Sequence, residues 1–134
     1  MSLEQNKKIV LQMYRAFDLQ DIEQGQKFMD TNIVGHGMDG VIRTGVDSFM
    51  EYATSMFTIF PDGSHQIDEI IAEGDKVVTY GVFSGTHQAD LLGFPATGKK
   101  VQFSVFHIDR LLNGKIIKHW GQADLFSIVQ QLQK

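Results

Sequence analysis

The feature that most limits the possible folds of this chain is a change in hydrophobic period near residue 64. Before this point, apolar residues recur at intervals of three and four, the spacing of one helix face. After it, apolar and polar residues alternate, which is typical of half-buried strands. Helices followed by strands predict an α+β fold in which helices cover one face of a bent antiparallel sheet and enclose a cavity.

Local signals divide the first part into helices. Ser2 with Gln5 forms a capping-box pattern, and an apolar stripe then continues to about Leu19. Asp21 with Gln24 repeats the start signal. We expect a shorter second helix there, with an apolar side of Ile22, Phe28 and Met29.

The rest of the chain divides in the same way. Residues 33–44 contain three glycines and predict short extended pieces around a turn, whereas helical spacing predicts a third helix from Val46 to Phe60. Four antiparallel strands and a final helix follow, and Asp124 is the expected N-cap of that helix. The predicted strands are 65–72, 76–86, 101–112 and 116–123.

Length and composition favour one ordinary folded domain over residues 1–134. A chain of 134 residues with 43% hydrophobic and 21% charged residues can bury a sizeable core. No internal repeat or linker suggests a second domain.

The charge and the cysteine content limit the possible classes of partner and the expected cellular compartment. The net charge is −4 and no basic cluster occurs, so neither nucleic acid nor an anionic membrane is an expected partner. The chain has no cysteine, which excludes disulfides, thiolate nucleophiles and zinc sites with sulfur ligands. The first ten residues lack a long apolar stretch, so we predict no signal peptide or membrane span and expect a cytoplasmic protein.

Two stretches carry a resemblance to a known family. Residues 83–101, FSGTHQADLLGFPATGKKV, and residues 106–124, FHIDRLLNGKIIKHWGQAD, resemble the signatures of the SnoaL-like polyketide cyclases, within the nuclear-transport-factor and ketosteroid-isomerase superfamily. The likeness covers essentially the whole chain. It implies a cone-shaped α+β barrel around a pocket, and a homodimer or higher homo-oligomer, since such folds commonly pair through the sheet.

The same resemblance implies a reaction and its residues. Members of the family close the last ring of aromatic polyketides by an intramolecular aldol condensation, without a metal or organic cofactor. Their catalytic aspartate on the last strand falls on Gly121 here, and a polar amide of their pocket falls on Val105. Because glycine cannot transfer a proton, the residues argue against the same mechanism. Asp124 lies nearby, but a helix cap is the ordinary explanation for it.

Two histidines are the candidate catalytic residues. His107 follows the alternation of an apolar strand face, and a histidine there can exchange protons near neutral pH. A two-residue turn in the last hairpin would place Trp120 opposite His107, and a three-residue loop would place His119 there. We favour the second register, because the resemblance requires Gly121 in the pocket. His107 and His119 then face each other as a catalytic pair, although without an evident carboxylate partner both can equally be wall residues bonded to backbone or water.

Two further histidines are followed by aspartates three residues later. His36 with Asp39 and His87 with Asp90 lie in turn-rich segments, where such spacing is a weak metal signal, and we expect no metal site. We interpret His87 as a brace for the loop 88–99 and His36 as a substrate contact.

Aromatic side chains suggest the ligand class. Most aromatic and methionine residues on the helices are expected in the core, but large flat side chains at a cavity suit a small, flat, apolar molecule. The expected substrate contacts are Phe17, His36, Phe60, Phe103, Val105, Trp120 and Gly121.

Three functions remain open at this stage. The chain is an enzyme acting on a small apolar carbonyl compound, a binding module that holds a hydrophobic metabolite without reaction, or an oligomerisation module that pairs through an exposed sheet face.

Overall fold

The structure, a computed structural model, describes residues 2–134 and confirms the α+β class. Within this range, four helices pack on one six-stranded sheet. The elements in chain order are α1 (Leu3–Asp18), α2 (Ile22–Gln26), β1 (Met29–His36), β2 (Ile42–Thr44), α3 (Val46–Ile59), β3 (Ser64–Glu73), β4 (Lys76–Thr86), β5 (Lys100–Leu112), β6 (Lys115–Ala123) and α4 (Leu125–Gln133).

The helix starts follow the predicted local signals. The Ser2 hydroxyl and the Gln5 side chain form the reciprocal capping box of α1. The Asp21 carboxylate accepts from the Gln24 backbone N–H at the start of α2, and Asp124 accepts from the Ser127 backbone N–H at the start of α4. Asp124 is therefore a helix cap, as expected.

The second helix is shorter than its apolar pattern suggested. It ends at Gln26, and Met29, predicted on its apolar side, is the first residue of β1. Met29 is buried against β6 through a pairing with Ile116. A contact with a strand more than eighty residues away therefore decides its conformation, and the local pattern could not supply it.

The sheet has the order β2-β1-β6-β5-β4-β3. All neighbours are antiparallel except β1 and β6, which run parallel. The sheet is open, with β2 and β3 as its edges, so it does not close into a barrel. The expectation of a purely antiparallel sheet was wrong at this one pairing, because β1 joins the last strand.

The final hairpin follows neither predicted register. Asn113 and Gly114 both have positive φ and form a two-residue turn, with Leu112 opposite Lys115. A bulge then inserts Ile117 as an extra residue of β6. As a result Gly121 lies opposite His107, and His119 lies opposite Asp109.

Two groups of buried apolar side chains hold the helices on the sheet. The first joins α1 and α3 to the sheet and includes Val10, Met13, Ile33, Phe49 and Ile116. The second lies under α4 and includes Phe60, Phe103, Ile128 and Leu132. Each such side chain contributes about 1.5–3 kcal/mol through burial. Between α1, α3 and the sheet the packing leaves a cavity.

None of the helices in residues 2–134 has the length and apolar character needed to cross a bilayer.

Candidate functional site

The cavity lies between the N-terminal helices and the inner face of the sheet, and its volume is about 80 Å³. Most of its wall is apolar, with Met13, Phe17, Phe49, Met56, Phe83, Phe103 and Val105 among the lining residues. The polar side chains in the wall include Tyr14, Arg43, Tyr52, His65, His107 and His119, and His36 borders the cavity between Gly35 and Gly37. A space of this size holds a few waters or a small molecule.

Strand β5 supplies one side of the site by simple alternation. Val101, Phe103, Val105, His107, Asp109 and Leu111 are all buried, whereas the residues between them are exposed or half-buried. The inward position of His107 is thus as predicted. The same alternation carries Asp109 inward, which the sequence interpretation missed.

Asp109 is fully buried, with 0% of its surface exposed. Its Oδ1 lies 2.6 Å from Nδ1 of His119, and its Oδ2 accepts a hydrogen bond of 3.0 Å from the Tyr14 hydroxyl. A buried carboxylate needs such donors, because burial without them is costly. The histidine pair therefore does have a carboxylate partner, contrary to the sequence interpretation.

Tyr14 is held in its protonated form. Burial, together with the negative charge of Asp109, raises the pKa of the Tyr14 hydroxyl well above its usual value. The hydroxyl thus remains a donor to Asp109 across the neutral range. The Tyr14 ring also packs against His107, with ring centres 4.9 Å apart.

The bond to Asp109 sets the tautomer of His119. A carboxylate can only accept, so the Nδ1 atom of His119 carries the hydrogen and Nε2 is left for a ligand. The side chain of His119 is 13% exposed and lines the cavity, so Nε2 is the nitrogen that can bond a ligand in the cavity.

His107 occupies the centre of the group without a hydrogen bond of its own. Neither of its ring nitrogens has a partner within residues 2–134. Burial lowers the pKa of His107 well below its usual value, and the neighbouring His119 and His65 lower it further. His107 is therefore neutral at physiological pH. Its ring centre lies 5.2 Å from that of His119, so the two rings are neighbours although they are not directly opposite each other.

A second carboxylate–histidine pair lies in the same wall. The Nδ1 atom of His65 is 2.7 Å from Oδ1 of Asp18, and the backbone N–H of His65 donates to Oδ2 of the same carboxylate at 2.8 Å. The rings of His65 and His107 have centres 5.7 Å apart. The sequence interpretation did not single out His65 or Asp18, which lie 47 positions apart in the chain.

Gly121 faces the cavity beside His107. A Cβ atom added at Gly121 would lie 3.4 Å from Nδ1 of His107 and 3.5 Å from Cγ of Met38. These are ordinary contact distances, so a small side chain fits there and would touch His107. The space that a side chain would occupy at this position is part of the cavity.

The structure brings most of the predicted substrate contacts together. His36, Phe17, Phe103, Val105 and Gly121 line the cavity, as do the two catalytic candidates. Their role in binding stays a prediction.

Phe60 and Trp120 lie outside the lining. Phe60 is 1% exposed and packs against Phe83 in the group under α4. Trp120 alternates with Gly121 along β6, and the two side chains must point to opposite faces of the sheet. Trp120 therefore packs on the other side, where it stacks on His36 with ring centres 5.3 Å apart.

An ion pair between Arg43 and Asp39 lies on the solvent side of the cavity. The Arg43 guanidinium bonds both carboxylate oxygens of Asp39, at 2.8 and 3.1 Å, and lies 3.9 Å above the ring of Tyr52. The Tyr52 hydroxyl accepts a hydrogen bond from the backbone N–H of Met38. These contacts hold residues 37–43 against α3 beside the cavity.

The other histidine prediction concerned His87. Its side chain is fully buried, and its Nδ1 contacts the Thr97 hydroxyl at 2.9 Å and the Thr97 backbone N–H at 3.2 Å. Its backbone also bonds Lys99 and Gly98. His87 thus braces the loop 88–99, as interpreted from the sequence. Among residues 2–134, no three His, Asp or Glu side chains form a group suited to a metal ion.

Comparison with known proteins gives the family of the chain. A search of curated proteins found no match. Among solved structures, AclR of Streptomyces galilaeus, provisionally described as a hydroxylase, is 23% identical with a TM-score of 0.86, covering 98% of this chain and 83% of its own. IdmH of Streptomyces antibioticus, provisionally a polyketide cyclase, is 24% identical with a TM-score of 0.85, covering 96% of this chain and 99% of its own.

A third solved structure is somewhat closer in sequence. A protein of Acidithiobacillus ferrooxidans, also provisionally described as a polyketide cyclase, is 28% identical with a TM-score of 0.83, and the match covers 99% of this chain and 98% of that one. The family model described as SnoaL-like polyketide cyclase matches residues 8–132, which is nearly the whole chain. The chain therefore belongs to the SnoaL-like polyketide cyclase family.

Proposed function

We propose that this chain is an enzyme that removes a proton next to the carbonyl of a small apolar compound, as an aldol cyclase does, with His119 as the base. The observation that carries this proposal is the 2.6 Å bond between Asp109 and His119 inside an apolar cavity. A carboxylate on Nδ1 orients the imidazole and stabilises its protonated form, which is what a general base requires.

Gly121 then has a simple role in this proposal. The family's aspartate is absent, but the Asp109–His119 pair supplies a base two residues earlier on the same strand, at His119. The open space at Gly121, next to His107, provides room for the substrate. His107, neutral and without a partner, is placed to donate a hydrogen bond to the substrate oxygen.

The size of the cavity bears on the substrate. Typical ligand pockets measure about 300–1,000 Å³, whereas this cavity measures about 80 Å³. A substrate of three or more fused rings therefore requires the lining to move. Residues 37–43, which the Asp39–Arg43 ion pair holds together, are one part of the lining that could do so. A compact ketone is the better first probe.

The experiment that tests the proposal follows proton exchange in deuterated water. The protein is incubated with 1-tetralone, and loss of the protons next to the carbonyl is followed by NMR. We expect wild-type protein to accelerate exchange and Asp109→Asn to lose about 10²–10⁴-fold, because the amide reverses the tautomer of His119. Asp75→Asn is the matched control, since Asp75 is an exposed aspartate paired with Arg110.

The outcomes of this experiment distinguish an enzyme from a binding module. Equal exchange rates of the wild-type and Asp109→Asn proteins would refute the role of the Asp109–His119 pair as the base. Binding of the ketone without any exchange would favour the second candidate function, a binding module, for which the absent family aspartate at Gly121 is the supporting observation.

We further propose that the protein is a homodimer that pairs through the outer face of its sheet. This face carries an outer apolar patch of Tyr80, Phe106, Ile108 and Trp120. Phe106 is 52% exposed and Ile108 36% exposed, and the rings of Tyr80 and Phe106 lie 4.6 Å apart. Contiguous exposed aromatic side chains are typical of protein interfaces.

A further inference from the structure

The reaction proposed above requires two groups that exchange protons, and the wall of the cavity contains a second group like the first. In both the Asp109–His119 and the Asp18–His65 pair, a carboxylate oxygen lies within 2.7 Å of Nδ1, which leaves Nε2 for a ligand. Both histidines line the same cavity. The chemistry available to one is therefore available to the other.

The two pairs lie on the same inner face of the sheet and approach His107 from opposite directions across the strands. His119 lies on β6 and His65 on β3, and in the order β6-β5-β4-β3 the strand of His107 lies between them. The His107 ring is 5.2 Å from His119 and 5.7 Å from His65, measured between ring centres. A substrate bound over His107 is thus within the range of both.

Three other polar groups of the wall, Tyr14, His107 and Arg43, are unsuited to donate a proton. The hydroxyl of Tyr14 is engaged by Asp109, and its pKa is raised by burial and by that charge. His107 is neutral, since burial and its two histidine neighbours lower its pKa. Arg43 is committed to Asp39 and remains charged.

We propose that His65 is a further catalytic residue, the proton donor that completes the reaction begun by His119, with Asp18 as its positioning residue. This inference rests on the proposed function of the site.

The proposed step takes up and releases the same number of protons. Nε2 of His119 takes the proton from the carbon next to one carbonyl, and that carbon forms a bond to the carbon of a second carbonyl. The π electron pair of the second carbonyl moves to its oxygen, which takes the proton from Nε2 of protonated His65. His119 then releases one proton to solvent and His65 takes one up, so the enzyme returns to its starting state without any co-reactant.

The test compares two probes on one set of variants. Deuterium exchange of 1-tetralone needs only proton removal, whereas ring closure of 2-methyl-2-(3-oxobutyl)cyclohexane-1,3-dione needs proton removal and proton delivery. We expect His65→Gln to keep exchange near the wild-type rate and to lose ring closure by about 10²-fold. Asp109→Asn should lose both. A merely structural role of His65 would reduce the two rates by the same factor.

The outcomes separate the two proposals. Ring closure by His65→Gln at the wild-type rate, or an equal loss of both rates, overturns the role of His65 and leaves the base His119 in place. Wild-type protein that exchanges but does not close the ring also overturns it. Wild-type protein that does neither refutes the proposed function, and the role of His65 with it.

A second variant guards against misfolding. The bonds to Asp18 join the end of α1 to the start of β3, so His65→Gln is checked by thermal melting before the rates are compared. Asp18→Asn keeps an oxygen that can accept from the His65 backbone N–H, but an amide nitrogen, which only donates, replaces the oxygen that accepts from Nδ1 of His65. We expect it to lower ring closure selectively, and unchanged ring closure would overturn the positioning role of Asp18.

Discussion

The hydrogen bond from Tyr14 to Asp109 provides the most direct test of the buried site, through the substitution Tyr14→Phe. The tyrosine is 5% exposed and the aspartate 0%, and the hydroxyl oxygen lies 3.0 Å from Oδ2. A hydrogen bond to a charged group contributes about 1.5–3 kcal/mol, and its loss leaves a buried carboxylate with one donor fewer. We therefore expect Tyr14→Phe to lower the free energy of unfolding by about 1.5–3 kcal/mol.

The same loss of stability can be measured by thermal unfolding. The unfolding entropy is roughly 2.1 cal/mol/K per residue, so 134 residues correspond to about 0.3 kcal/mol per kelvin. The melting temperature should fall by roughly 5–10 °C. Urea unfolding followed by circular dichroism gives the free energy independently, with an unchanged slope if only the folded state is affected.

The matched control removes the same atom elsewhere. Tyr80 is half-buried on the outer sheet face and its hydroxyl has no side-chain partner in residues 2–134, so Tyr80→Phe should change stability by less than about 0.5 kcal/mol. Equal stabilities of the Tyr14→Phe and wild-type proteins would refute the charged, hydrogen-bonded Asp109 on which the site depends. A coupling energy of about 0.5–3 kcal/mol with Asp109→Asn in a double-mutant cycle would confirm that the two groups interact.

Three further predictions concern pH, the cavity and the sheet face. Burial and its histidine neighbours lower the pKa of His107, so its contribution to stability is full above the unfolded-state pKa of about 6.5 and is lost as pH falls below it, by up to about 1.4 kcal/mol per pH unit. Urea unfolding at pH 7.5 and 5.5 should show a smaller loss for His107→Leu than for wild type, and parallel losses would contradict this. Gly121→Ala should fold with stability changed by less than about 1 kcal/mol, since the new Cβ meets His107 and Met38 at contact distance. It should weaken 1-tetralone binding measured by calorimetry, and unchanged affinity would place the ligand elsewhere. Phe106→Glu should give a monomer in sedimentation velocity where wild type gives a dimer, and a persistent dimer would exclude the outer apolar patch as its interface.

The alternation of β5 was readable from the sequence, and only part of it was used. The pattern that placed Val101, Phe103, Val105 and His107 on one face extends without interruption to Asp109. The buried carboxylate could therefore have been predicted from the strand period alone. The partners of Asp109 could not, because Tyr14 lies 95 positions away in the chain.

The register of the last hairpin shows a different limit of prediction from the sequence. The Asn113-Gly114 turn was correctly recognised as a hairpin signal, yet one extra residue at Ile117 moved every later pairing by one. This shift put Gly121 opposite His107, where the two-residue turn without a bulge would have put Trp120. A bulge is a single-residue event with no strong sequence signature, so local patterns did not distinguish the alternatives.

What the sequence by itself determined were the features that depend on near neighbours. The caps at Ser2, Asp21 and Asp124, the limits of the long strands and the α+β class all follow from interactions within a few residues. The tertiary structure alone decided the parallel pairing of β1 with β6, the outward face of Trp120 and the carboxylate partners of His119 and His65. These depend on contacts between side chains 10 to 95 positions apart, which form only when the helices have packed on the sheet.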